Sequence, residues 1–254
     1  MLLQHWGGQY RQRDKERWMD AMPLRYSCRH FKVDTDMSLI SALEYSTARL
    51  ALKGTRLVLC EVREDIPLLI PVPFISSFTG VTRYAAVIAD VNRKDYKTLA
   101  GIIGEAFVLE ATALGVATCW VSGNFRRSAC NVPLYEGEQV LAVIPFGLAE
   151  DNTFARRRKA LKALCQNDPA TWPLWAYQAA EAVRSAPSAI NRQPWRFDYA
   201  GFTLQVSFPS LNSLDTGIAL LHLCCALNEA QYRYTINEKD RSILIFQGEP
   251  HDFV

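Results

Sequence analysis

The sequence predicts an α+β fold in which one programme of helices and strands runs twice along the chain. Three observations predict it. Segments with helical and strand-like patterning alternate. A polar, basic stretch bounded by proline, 149–173, interrupts the alternation. A helical segment before that interruption reappears after it at a fixed offset. With 254 residues, 49% of them hydrophobic, the chain has ample material for a core.

The elements follow in order. The run 38–52 (SLISALEYSTARLAL) places Leu39, Ala42, Leu43 and Leu50 on one stripe and reads as a helix, with Gly54 as a candidate end. RLVLCEV at 56–62 reads as a strand. A proline-punctuated loop at 65–80 leads to a strand at 84–89 and a helix over 99–114. Gly115 closes that helix, because glycine enters the left-handed region without steric cost. ATCWVSGNF is rich in turn residues, and VLAVIPF at 140–146 reads as a buried strand. Beyond the stretch AEDNTFARRRKALKALCQNDPATWP, the expected linker, come a helix at 174–185, strands at 195–199 and 203–208, and an apolar helix at 217–227.

At an offset of 113, GEAFVLEATALG (104–115) lies over GIALLHLCCALN (217–228). Gly104 falls on Gly217, Ala106 on Ala219, Ala113 on Ala226, Leu114 on Leu227 and Gly115 on Asn228. Either two buried helices share a composition, or a duplication left two halves that pack as a pseudo-dimer, each contributing one central helix.

Composition narrows the function classes. A formal net charge of +2 gives no overall electrostatic case for duplex nucleic acid or an anionic membrane. The seven cysteines form no CxxC pair and mostly sit among apolar neighbours, as small hydrophobes do in a reducing compartment. The four histidines are not at ligand spacing. The N-terminus lacks an apolar secretory core, and no apolar run approaches the roughly 18 residues of a membrane span, so a cytoplasmic location is expected.

Three segments carry chemistry. RYSCRHF (25–31) sets Arg25, Ser27 and Arg29 on alternate positions, which share one side of an extended backbone. Two guanidinium groups and a hydroxyl suit a phosphate, although a solvated basic edge has the same pattern. The run 156–159 (RRRK) is a solvated basic segment, a weak nucleic-acid patch, or further charge for a dianion. RSAPSAINRQPWRF (184–197) is a proline-bent turn between a helix and a strand, with Ser188 and Asn191 offering polar groups at the reversal.

Together these segments resemble the FMN-dependent nitroreductase superfamily. RYSCRHF is similar to its RSxR motif and APSAINRQPWRF to its APSxxNxQPW motif. ATCWVSGNF after a glycine-capped helix, and VIPFG before a basic segment, match the family in the same roles. The resemblance spans roughly residues 22–232. It is closest to the branch in which two nitroreductase-like halves are fused, because the RSxR-like motif occurs in the first half and the PSxxN motif in the second.

The resemblance implies an α+β nitroreductase-like fold: a mixed central sheet flanked by helices, in two intertwined pseudo-symmetric halves. These are 1–150 and 174–254, joined by a basic linker at 151–173. It implies a monomeric pseudo-dimer with one FMN site across the interface of the halves. Arg25, Ser27 and Arg29 would hold the phosphate, with Arg156 and Arg158 as a second basic pair. Pro187, Ser188 and Asn191 would line the ribityl chain and the polar edge of the ring. Val121, Ser122 and Gly123 would pass beside the isoalloxazine and aim a backbone N–H at N5. NADH or NADPH would reduce the flavin, and a small nitroaromatic or quinone-type acceptor would reoxidise it in a ping-pong cycle. No side chain need act as nucleophile. A flavin-storing or ligand-sensing protein would keep the same motifs.

Two positions depart from the family pattern. Ser122 stands where many members carry an acid, and Ala160 where a proline is common. Gln193 and Trp195 are expected to organise the turn and core, Cys119 to be a packed thiol, and His222 to be a satisfied core histidine.

Overall fold

The computed structural model describes residues 10–33, 37–71, 77–150, 157–227 and 231–247. Its first sheet contains β1 (Thr55–Glu61), β2 (Arg83–Asp90), β3 (Ala117–Thr118) and β4 (Glu138–Gly147) in the order β1-β2-β4-β3. The second contains β5 (Arg196–Ala200), β6 (Thr203–Ser207), β7 (Tyr232–Asn237) and β8 (Ser242–Gln247) in the order β5-β6-β8-β7. Every paired strand in both is antiparallel. The α+β class stands, but the single mixed sheet expected from the sequence is two separate antiparallel sheets among the described residues. Each round of the chain closes its strands on themselves, and among the described residues parallel pairing survives only at isolated bridges such as Ser27–Thr118 and Cys165–Phe197.

Among the described residues five α-helices accompany the sheets: α1 (Gln12–Ala21), α2 (Met37–Thr47), α3 (Tyr96–Ala113), α4 (Leu174–Ser185) and α5 (Leu214–Ala226). The two long apolar helices enter at equivalent points, α3 between β2 and β3 and α5 between β6 and β7. They pack against each other where glycine meets glycine. A methyl group built on Gly217 would overlap Thr98 O and lie 2.8 Å from Ile102 N and 2.9 Å from Gly101 Cα. One on Gly101 would overlap Leu214 O. Only hydrogen at both positions allows this approach. Gly104, matched to Gly217 in the sequence, instead lies against the Trp120 ring.

The α3 boundary follows the sequence reading. Gly115 has φ +78, and the Val116 N–H reaches back to Ala111 O at 2.8 Å, closing the helix in a left-handed cap. Its sequence partner Asn228 lies outside the described residues. The reading of α2 needs correction: the helix stops at Thr47, whose hydroxyl donates to Leu43 O at 2.7 Å. Gly54 (φ +82) belongs to the turn before β1, where its carbonyl accepts from Asp90 N.

The expected linker is not a solvated spacer over its described part. Leu161, Leu164 and Trp172 are buried in the main core, and Gln166 N donates to Phe197 O. Trp172 and Trp175 contact Tyr199, and Trp175 also contacts Tyr232, so this segment and α4 cover the second sheet. Among the described residues no helix is long and apolar enough to cross a membrane.

Candidate functional site

The two motif regions, about 160 residues apart in sequence, meet around one cavity of about 940 Å³. Arg25, Ser27, Arg29, Val121, Ser122, Gly123, Arg158, Pro187, Ser188 and Asn191 all line it. Arg156 lies outside the described residues. The volume falls near the top of the ~300–1,000 Å³ common for small-molecule and cofactor sites.

At one end, RYSCRHF is pinned by the Ser27–Thr118 bridge and by Cys28 N donating to Thr118 O at 2.9 Å. The regular alternation expected there does not form. Burial recurs at Arg25, Cys28 and Phe31, every third residue, and Tyr26, Cys28 and His30 also line the cavity. The three foreseen residues nevertheless all line the cavity, as does Cys119. Burial pushes its thiol up to about 11, while the nearby Arg29 and Arg25 charges and a hydrogen bond with Ser27 oppose the rise. Cys119 is thus a packed, protonated thiol beside a cationic cluster.

A second part of the lining is residues 187–191 of the 186–193 turn. Ile190 (φ 45), Asn191 (φ 56) and Gln193 (φ 48) are all in the left-handed region, which is costly above all for a β-branched residue. Side-chain bonds hold the turn. Asn191 Oδ1 accepts from Arg158 at 2.9 Å and from Gln193 Nε2 at 3.2 Å, and its Nδ2 donates to Arg157 O at 2.9 Å. Gln193 Oε1 accepts from Lys159 N, and Ser188 Oγ accepts from Gln193 N. Gln193 and Trp195 are buried and organise the turn from behind, as expected.

These bonds refine two assignments. Both acceptor lone pairs of Asn191 are used, so toward a ligand it retains only one N–H of its amide. Arg158 donates to Ser185 O and Asn191 Oδ1, which makes it a brace for the turn as well as a source of positive charge.

The third wall follows β3. The N–H of Val121 is committed to Val143 O at 2.9 Å, in a two-way bridge, and so is not available to a ligand. Ser122 and Gly123 are exposed to the cavity, and a side chain on Gly123 would meet nothing within 4 Å. A backbone donor from this wall would therefore come from Ser122 or Gly123.

Sequence reasoning missed several lining residues, among them Tyr26, Leu69, Phe78, Trp120 and Asp215. Asp215, in the first turn of α5, is the only carboxylate among the described lining residues. Desolvation raises its pKa, against a hydrogen bond from Ala189 N and the charge of Arg192. No local motif announces it, because its place depends on the α3–α5 crossing. Leu69 joins the wall through a bridge with Phe125, and nothing sets it apart from its neighbours in the apolar, proline-punctuated loop at 65–80.

The family model described as "Putative TM nitroreductase" matches residues 18–227. The chain belongs to this nitroreductase family. No protein of curated function matches it. Among solved structures, a Thermotoga maritima protein described as "a putative nitroreductase" is 24% identical, with a TM-score of 0.60 over 91% of this chain and 94% of that one. This likeness supports the nitroreductase fold along nearly the whole length. A nitroreductase family protein from Clostridium difficile is 18% identical over 55% of this chain and 87% of its own, with a TM-score of 0.42. A Desulfitobacterium hafniense nitroreductase, solved with bound FMN, is 17% identical over 54% of this chain and 91% of its own, with a TM-score of 0.40.

Proposed function

We propose that this nitroreductase-family chain binds one FMN in the shared cavity. Electrons from NADH or NADPH pass through it to a small electron-poor acceptor of the nitroaromatic or quinone type, in a ping-pong cycle. One observation carries the reading: motif residues from distant parts of the chain line a single cavity with a cationic end, an open backbone wall and a polar turn. In this reading the two rounds of the chain are halves of a pseudo-dimer, and the site lies between them.

The residues present fit the cofactor. Arg25, Arg29 and Ser27 supply charge-assisted and hydroxyl donors for a phosphate. The Ser188 hydroxyl, already accepting from Gln193 N, retains its own hydrogen for a ribityl oxygen. Asn191 offers one amide N–H, and Ser122 or Gly123 a main-chain N–H, to the polar edge of a planar ring. Bound FMN would supply two-electron transfer chemistry at N5. The protein's part is to bind and orient it, through fixed dipoles that need no rearrangement. The apolar lining from Leu69, Phe78, Leu214 and Ile218 favours flat, poorly hydrated acceptors.

The test is anaerobic mixing of the FMN-loaded protein with NADH and, separately, NADPH, followed by a nitroaromatic or quinone. Bleaching of the flavin band within seconds to minutes, and its return on adding the acceptor, is the expected result. A flavin that stays oxidised with both nucleotides would instead indicate a binding or sensing protein.

A further inference from the structure

Beneath the cavity lies a buried polar chain that the site as described does not use. Glu105 on α3 and His222 on α5 are fully buried, and His222 Nε2 lies 2.8 Å from Glu105 Oε1. The other carboxylate oxygen accepts from the Trp120 indole N–H at 2.8 Å. His222 Nδ1 is 2.9 Å from Ala182 O and 3.2 Å from Ser185 Oγ, both on α4. The Ser185 carbonyl in turn accepts from Arg158.

Donor and acceptor rules assign the hydrogens. A carbonyl only accepts, so Nδ1 of His222 carries a hydrogen toward Ala182 O. Nε2 and Oε1 then share one proton, and the pair is neutral overall whichever atom holds it. Both oxygens of Glu105 and both nitrogens of His222 are satisfied.

Stability alone is a poor reason for such a pair, since apolar residues of similar volume usually serve as well or better. Its place in the molecule is more informative. One end is Trp120, which lines the cavity beside Val121–Gly123 and whose ring lies against Gly104. The other end is Ser185, at the end of α4, from which the chain enters the strained turn. The network thus ties two cavity walls together from below, across the α3–α5 crossing.

We infer that Glu105 and His222 are positioning residues, which hold Trp120 and the 187–191 turn in the arrangement that receives a planar ligand. This rests on the flavin reading for the identity of that ligand. Neither residue lines the cavity, so each acts through others.

The test compares Glu105→Gln and Glu105→Leu, each in the wild-type and Trp120→Phe backgrounds. FMN affinity is read by fluorescence titration, and the Trp120 indole N–H by ¹H–¹⁵N NMR of the apoprotein, assigned by its loss in Trp120→Phe. Gln keeps an acceptor for the indole and a donor for His222, so its indole resonance and FMN affinity should stay close to wild type. Leu fills the space without either bond. Its indole resonance should shift, and FMN should bind about tenfold more weakly, as expected for losing a hydrogen bond to a charged or proton-sharing group. In the Trp120→Phe background Leu should add much less, because the coupled group is gone. Thermal melts of all variants show that the comparison is between folded proteins. Glu105→Leu with wild-type affinity and an unmoved indole resonance, or an equal loss in both backgrounds, would overturn the positioning role alone. Wild-type protein that binds no FMN would overturn the flavin reading and this role with it.

Discussion

Gly217→Ala tests the helix crossing on which the site is built. The added methyl would overlap Thr98 O and sit 2.8 Å from Ile102 N, where ordinary contacts begin at 3.4 Å. The obstructing atoms are backbone of α3, which no rotamer change can clear, so the helices must part by more than half an ångström. Over-packing of this kind costs typically 1–3 kcal/mol, and rigid backbone on the far side places this case near ~3. Alanine returns about 1 kcal/mol of helix propensity. The net expectation is a loss of ~2 kcal/mol, which in a chain of this size lowers the melting temperature by about 4–8 °C. Urea unfolding followed by circular dichroism measures it directly. A variant as stable as wild type, or more so, would show that the two helices do not cross this closely. Leu214 and Ile218 flank Gly217 and line the cavity, so ligand affinity should fall with stability.

Two further outcomes follow from the site's electrostatics. Asp215 has a raised pKa in the folded state, so folding favours its protonated form and stability falls as pH rises from the ordinary value of 3.8 through the folded value. Asp215→Asn should therefore unfold at higher urea than wild type at pH 7, with the difference shrinking toward pH 3.5; a difference that grows on acidification would contradict the desolvation account. Cys119, with its thiol at about 11, should be alkylated slowly by iodoacetamide in the native protein at pH 8, and the rate should rise about tenfold per pH unit up to pH 10. Peptide mass spectrometry reads this, and rapid labelling at pH 8 would place that thiol outside the buried pocket.

Much of the fold was legible because its signals are local. The α4 segment 174–185 is apolar on one face and ends at a proline-bent turn, and the structure returns the helix over the same residues. The Gly115 cap was equally readable. The helix α1 was not, since its charged residues hide a narrow buried stripe of Trp18 and Ala21. Trp18 and Arg17 are anchored by Glu110 on α3, a contact some 90 residues away. The strands β7 and β8 were missed because a mostly half-buried edge strand such as β7 has weak alternation. The two-sheet arrangement was beyond local patterning, which identifies strands but not their partners.

The candidate site was readable to the extent that motifs mark it. Arg25, Ser27, Arg29, Ser188 and Asn191 carry recognisable spacing, and all reach one cavity. The roles changed once side-chain bonds were visible. Asn191 spends its acceptor on the turn, Arg158 braces that turn, and Val121 gives its N–H to Val143. Asp215 and the Glu105–His222 pair carry no motif, because their places depend on the packing of α3 and α5 rather than on any sequence neighbour, and Trp120 sits inside ATCWVSGNF without any local sign of its bond to Glu105. His222 is a satisfied core histidine, as its apolar setting predicts, but its partner could be found only in three dimensions.

The central claim is that the cationic end of the cavity holds a flavin phosphate. Purified protein is incubated with excess FMN, passed through gel filtration and scanned in the visible, beside an Arg25→Ala/Arg29→Ala variant. Wild type is expected to emerge yellow with flavin bound. The variant should lose it, since each charged hydrogen bond removed is worth about 1.5–3 kcal/mol. Colourless wild type, or a variant that retains as much flavin as wild type, would contradict the claim.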